Sequence, residues 1–188
     1  QSIEHNFASV CVNPINVPLA SSILSGSKPK LGTVIGFPTG ALSADMKFNE
    51  SIHLTNEGAM ELDMVMNIAA FKQNELNLIK HEIEKVVEAS NGNCVKVIIE
   101  TSLLRNDEIA IASNLVAQSG ADYVKTSTGF YSRGASIEDI KIIKKAVGDG
   151  FGIKASGGIK SKVYAAALIT AGATRIGTSN AVDIISVS

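Results

Sequence analysis

Two lysines set the chemical question. Lys125 lies in ADYVKTSTGF (residues 121–130) and Lys154 in GIKASGGI (152–159). Both stretches read as core strands, yet a lysine is almost never fully buried unless it is paired, and β-propensity works against it. KTSTGF and KASGGI repeat Lys, Ser and Gly at the same offsets. That repetition puts the two amines at matching points of adjacent strands, about 4.8 Å apart. Repulsion and burial both lower a lysine pKa. A free lysine, with a pKa near 10.4, is only about 0.04% neutral at pH 7, so a shift to about 7 raises the nucleophilic fraction roughly a thousandfold. A neutral amine attacks a carbonyl and forms a Schiff base, and a second cation nearby is a known activating device. The iminium is an electron sink, so a C–C bond beta to it can break or form.

A second chemistry is signalled by glycines. ASGGIKS (155–161) follows one strand and opens a helix, and GTSN (177–180) follows the next strand and opens the last helix. In barrels, such loops with a helix N-terminus form the common phosphate site. Gly157 and Gly158 let backbone N–H groups approach an anion, and Ser156, Thr178 and Ser179 add hydroxyls. Turn-and-cap chemistry is the competing explanation of the same residues.

These groups need a frame. Seven β-rich runs (FASVCVN, KLGTVIGF, ELDMVMNI, CVKVIIET, YVKTST, GIKASG and RIGTS) alternate with helical stretches such as NELNLIKHEIEKVVEAS and SIEDIKIIKKAV. Strand–helix alternation predicts a parallel α/β domain. Asn106 and Ser136 are predicted N-caps, each with acidic residues in the following turn. EGAMELDMV, SGADYVKTS and AGATRIGTS share one plan: a glycine where a helix should end, then Ala, then a strand. Repetition at one βα unit points to a (β/α)8 TIM barrel in a single domain, residues 1–188. Seven strands are countable where a closed barrel needs eight.

Strand side chains alternate between faces. If the apolar face packs on helices, the mixed face lines the interior, and it carries Asp63, Lys96, Glu100, Lys125 and Lys154. A structural ion-pair network is the alternative for the set, and above all for Lys96, which sits early in its strand.

Bulk composition excludes much. The chain has 188 residues, 45% hydrophobic and 19% charged, with formal net charge -1, an ordinary globular balance with no footprint for nucleic acid or an anionic membrane. No apolar run approaches the ~20 residues of a membrane span, and QSIEHNFASV is not a signal peptide. The expected location is the cytoplasm. Cys11 and Cys94 read as reduced, buried thiols. His5, His53 and His81 share no metal spacing.

With those motifs assembled, the chain resembles deoxyribose-phosphate aldolase, a class I, Schiff-base aldolase family on a (β/α)8 barrel. ASVCVNP, VIGFPTG, ELDMVMNI, KVIIET, ADYVKTSTGF, GIKASGGI and AGATRIGTS match in order over nearly the whole chain. The resemblance implies reversible cleavage of 2-deoxy-D-ribose 5-phosphate to acetaldehyde and D-glyceraldehyde 3-phosphate. It makes Lys125 the Schiff-base nucleophile, Lys154 the neighbour that activates it and assists proton transfer, and Asp63 the proton relay with a bound water. Thr128 and Gly129 join the substrate and phosphate set with Ser156, Gly157, Gly158, Gly177, Thr178 and Ser179. Cys11 matches a pocket cysteine, with a buried structural thiol as the alternative. No metal or organic cofactor is expected. The partner is a small phosphosugar, with neither nucleic acid nor membrane.

Two departures stand out. The family opens with a strand carrying Asp-His-Thr and a helix, and this sequence begins where that helix should end. A shortened product, an incomplete record of a longer chain, or a homo-oligomer whose subunits cover the gap would each account for it. In FYSRGAS (130–136), Tyr131 and Arg133 stand where the family tends to be glycine-rich or basic; Arg133 is either a phosphate contact or a solvated loop residue. Competing functions are an inactive or phosphosugar-binding barrel, a Schiff-base aldolase for another phosphorylated aldehyde, and a barrel isomerase sharing only the phosphate loops.

Overall fold

The computed structural model describes residues 1–186. The chain divides into two compact units that meet in sequence between Lys96 and Val97. All seven strands expected from the sequence are present.

In the first unit, β1 (Ser9–Val12) leads through a 3₁₀ turn to α1 (Val17–Leu24), β2 (Lys30–Ile35), α2 (Ala44–Asn56), β3 (Glu61–Val65), α3 (Ile68–Lys72) and α4 (Leu76–Ala89). β1 and β2 are parallel with Cys11 opposite Gly32, and β2 and β3 are parallel with Val34 opposite Asp63. Local chemistry explains the boundaries. Ser43 caps α2 by accepting from Met46 N–H at 3.3 Å, and Asn67 caps α3 by accepting from Ala70 N–H at 3.1 Å. In α4, Ile79, Ile83 and Val86 recur at helical spacing and are fully buried.

The next strand, β4 (Cys94–Ile98), carries the chain from one unit into the other. In the second unit follow α5 (Asn106–Gln118), β5 (Tyr123–Lys125), α6 (Ile137–Val147), β6 (Gly152–Ser156), α7 (Lys162–Thr170), β7 (Arg175–Gly177) and α8 (Ala181–Ser186). β5, β6 and β7 are parallel and adjacent in chain order. Ser136 caps α6 as expected, accepting from Asp139 N–H at 3.0 Å. Asn106 does not cap α5: it is the first helical residue, and Arg105 holds the cap position, its N–H donating to Glu108 Oε2 at 2.7 Å. The acidic residue that suggests the cap serves a position one earlier.

The helix-ending glycines behave alike. Gly58, Gly120 and Gly172 all have positive φ, and Ala59, Ala121 and Ala173 after them are buried. Both cysteines depart from expectation: Cys11 is exposed on β1 and Cys94 is half-buried. Apolar character does not bring burial to Cys11, because none of the four residues of its strand is buried. No helix among the described residues is long and apolar enough to cross a membrane.

Candidate active site

Lys125 and Lys154 are register partners on the parallel pair β5–β6. Both are buried, 7% and 5% exposed, while Val124 and Ile153 beside them are fully buried. Register partners in a parallel pair project to the same face, so the two amines share one side of the sheet. The neighbouring strand makes room for Lys154: a Cβ on Gly177 would stand 3.0 Å from its Cε and 3.2 Å from Ser156 Cβ.

Beyond the lysines, hydroxyls stitch the strands together. Thr126 Oγ1 donates to Ser156 O and accepts from Ser156 N–H, both at 3.1 Å. Ser156 Oγ donates to Ser127 O at 2.7 Å. Ser127 Oγ is buried with no hydrogen-bond partner among the described residues.

The segment after Lys125 is held from several sides. Thr128 donates from both its N–H, at 2.9 Å, and its Oγ1, at 2.6 Å, to Glu100 Oε2. Arg133 pairs with Asp139 and donates to Thr101 O at 3.1 Å, and its hydrogen bonding to Asp139 drives its pKa up. Ala135 N–H donates to Ser156 O at 3.0 Å, and Tyr164 Oη donates to Ala135 O at 2.7 Å. Arg133 is therefore a clamp within the protein rather than a merely solvated residue. Phe130, at the tip, is 71% exposed.

In the turn after β6, Gly157 and Gly158 have φ of +85° and +72°, a region that suits only glycine without strain. Gly129 has φ +90°. After β7, Thr178 Oγ1 donates to Ile159 O at 2.6 Å and accepts from Asn180 N–H at 2.9 Å, while Ser179 Oγ, on the exposed side, donates over a longer 3.4 Å to Asn180 Oδ1. The hydroxyl protons of Ser156 and Thr178 are thus engaged by carbonyls, and Ser179 is the more available donor of the three.

In the first unit, Asp63 is buried on β3 and its Oδ1 accepts from Lys96 Nζ at 3.0 Å; Glu61 Oε2 accepts from the same ammonium at 2.8 Å. Burial opposes the charge on Lys96, but Asp63 and Glu61 outweigh it and raise its pKa.

The chain matches the model of the DeoC/LacD family aldolases over residues 1–184. It belongs to that family. Deoxyribose-phosphate aldolase from Exiguobacterium sibiricum is 49% identical over 186 residues, 98% of this chain and 84% of that protein. The deoxyribose-phosphate aldolase from Streptococcus gordonii is 50% identical over 182 residues, 97% of this chain and 83% of that protein. Among solved structures, the tetrameric deoxyribose phosphate aldolase from Aeropyrum pernix superposes with a TM-score of 0.90 at 31% identity, covering 98% of this chain and 78% of that one. An aldolase named QR15 gives a TM-score of 0.93 at 40% identity, covering 97% and 82%. The fold is of the (β/α)8 barrel class, with seven strands among the described residues.

In this DeoC/LacD chain, Lys125, Lys154, Thr128, Gly129, Ser156, Gly157, Gly158, Gly177, Thr178 and Ser179 all lie on β5, β6, β7 or the segments that follow them. Asp63 and Cys11 belong to the first unit, on β3 and β1. Sequence reasoning misses one buried pair there. Lys47 Nζ donates to Glu82 Oε2 at 2.7 Å and to Val65 O at 2.9 Å, and Asn67 N–H donates to Glu82 Oε1 at 2.7 Å. Burial lowers the Lys47 pKa and raises that of Glu82, against their mutual attraction. A signal exists: Glu82 stands inside the apolar stripe Ile79, Ile83, Val86 of α4, where a solvated carboxylate does not belong.

Proposed function

We propose that this chain is a class I aldolase that reversibly cleaves 2-deoxy-D-ribose 5-phosphate to acetaldehyde and D-glyceraldehyde 3-phosphate. The observation that carries the reading is the register pairing of two buried lysines, Lys125 and Lys154. Two buried amines at matching points of adjacent strands are an arrangement that activates a lysine nucleophile, because a second cation nearby favours the neutral amine.

In this reading the Lys125 amine adds to the C1 aldehyde of the open-chain sugar, and loss of water leaves an iminium. The C2–C3 bond then breaks: its electron pair moves toward the iminium nitrogen to give an enamine, and the C3 hydroxyl gives up its proton as it becomes the aldehyde of glyceraldehyde 3-phosphate. Protonation of the enamine at C2 and hydrolysis of the iminium release acetaldehyde and restore Lys125. Lys154 and Asp63 are the proton-handling groups, Asp63 through a water. The turns carrying Gly157, Gly158, Gly177, Thr178 and Ser179 take the phosphate, with Thr128, Gly129 and Ser156 completing the substrate site and Cys11 a pocket residue. Approachable backbone N–H groups in glycine turns are the physical basis for anion binding. A single barrel domain, a cytoplasmic location and a homo-oligomer belong to the same reading; the tetramer of the Aeropyrum pernix relative supports the last, and light scattering tests it.

The decisive experiment is borohydride reduction in the presence of deoxyribose 5-phosphate, followed by peptide mass mapping. A reduced adduct on Lys125, abolished in Lys125→Leu together with turnover, is expected. Turnover that survives Lys125→Leu overturns the assignment.

A further inference from the structure

We infer that Glu100 is a positioning residue for the aldolase reaction, fixing the Thr128 hydroxyl as a hydrogen-bond acceptor toward the substrate; the inference rests on the aldolase reading. Glu100 follows β4 and is fully buried. Its backbone is left-handed, with φ +51° and ψ +69°, a conformation that glycine or asparagine adopts more readily than glutamate. A long acidic side chain at such a position runs against backbone preference, and such an outlier directs attention to what its carboxylate holds.

Both of its carboxylate oxygens are engaged. Oε2 accepts from Thr128 N–H at 2.9 Å and Thr128 Oγ1 at 2.6 Å, and Oε1 accepts from Ser102 Oγ at 2.9 Å. A threonine hydroxyl has one proton and two lone pairs. That of Thr128 is committed to Glu100, in a bond of the short length typical of charge-assisted O–H···O contacts. Phe130 N–H occupies one lone pair at 3.2 Å. What Thr128 can still offer a ligand is one acceptor site. It therefore suits a substrate hydroxyl and repels a phosphate oxygen. Glu100 thereby sorts the loop chemically, setting Thr128 to receive a sugar O–H while the glycine turns are left for the anion. Because both Thr128 contacts end on one oxygen, losing the carboxylate frees the backbone and the hydroxyl of Thr128 together.

The test compares the parent with Glu100→Gln, which keeps the side-chain volume, and with Thr128→Val. Two reactions are measured: borohydride-trapped iminium formation from acetaldehyde alone, which needs Lys125 but has no hydroxyl to place, and steady-state cleavage of deoxyribose 5-phosphate. The expected result is trapping unchanged in Glu100→Gln, kcat/KM for the sugar phosphate down about tenfold, and a double variant no worse than the weaker single one, since both changes remove one interaction. Equal loss in both reactions, or unchanged kcat/KM, overturns the inference while parent trapping upholds the aldolase reading. A parent that traps no aldehyde overturns that reading and the inference with it.

Discussion

Gly134 and Gly157 cross backbone on backbone. A Cβ on Gly134 would lie 2.0 Å from the Gly157 carbonyl oxygen, and one on Gly157 would lie 2.9 Å from Gly134 Cα. The segment after Lys125 thus rests directly on the turn after Lys154, at a separation only glycine permits. Gly134→Ala must push the two segments apart, since neither contact atom is a flexible side-chain end. Overpacking of this kind costs about 1–3 kcal/mol. The expected outcome is a lower urea midpoint and a sharp fall in sugar-phosphate cleavage, both read on purified protein; a variant with parent-like turnover would show that the crossing does not matter to the site.

Gly177 acts on Lys154 instead. A methyl there would press on the Lys154 Cε, which can yield because it is near the end of a flexible chain. Gly177→Ala is expected to fold normally yet to misplace the amine, lowering kcat by about tenfold. Circular dichroism and steady-state kinetics check the two halves of this statement.

Arg133 separates two roles by substrate choice. As a clamp on Asp139 and Thr101, its replacement by Met should lower kcat/KM for deoxyribose and for deoxyribose 5-phosphate by the same factor. A phosphate contact would instead penalise the phosphorylated sugar alone. Arg133→Lys should fail to restore the parent, because an ammonium cannot reproduce the forked contact with Asp139.

Lys96 predicts a pH dependence. Its folded pKa is raised by Asp63 and Glu61 against opposing burial, so the native state binds more protons than the unfolded chain above the unfolded lysine value. The stabilisation is therefore complete below about pH 10.4 and declines as pH rises beyond it. Lys96→Met leaves two buried carboxylates without their cation and should cost about 3–5 kcal/mol near neutrality. The gap between parent and variant should narrow above about pH 10.4, as urea titrations across that range will show.

Much of this is readable from residue order because it depends on local rules. Strand runs, the helix-ending glycines and the Ser136 cap each follow from a few adjacent residues, and the repeat KTSTGF/KASGGI carries the register of Lys125 and Lys154. What stays hidden depends on distant partners. Lys47 and Glu82 lie on different helices, and nothing nearby in the chain announces their bond. Glu100 is visible as an interior carboxylate, but its tie to Thr128 needs the backbone turn at position 100. Arg133 reads as a loop residue because its acceptors are Asp139, six positions on, and a carbonyl 32 positions back. Cys11 defeats the equation of apolar character with burial, since none of the four residues of its strand is buried.

The Lys47–Glu82 pair has an evolutionary consequence. Each of its members, changed alone, strands the other as an uncompensated charge in a dry interior, a loss of about 3–5 kcal/mol. Total stability for domains of this kind is only about 5–15 kcal/mol. A single replacement thus removes a large share of that margin, and two simultaneous changes or a prior reserve of stability ease the passage. Lys47 and Glu82 are therefore expected to behave as a single character spread over two codons: each single replacement should cost far more than the pair exchanged together for apolar residues of like volume, as a double-mutant cycle would show.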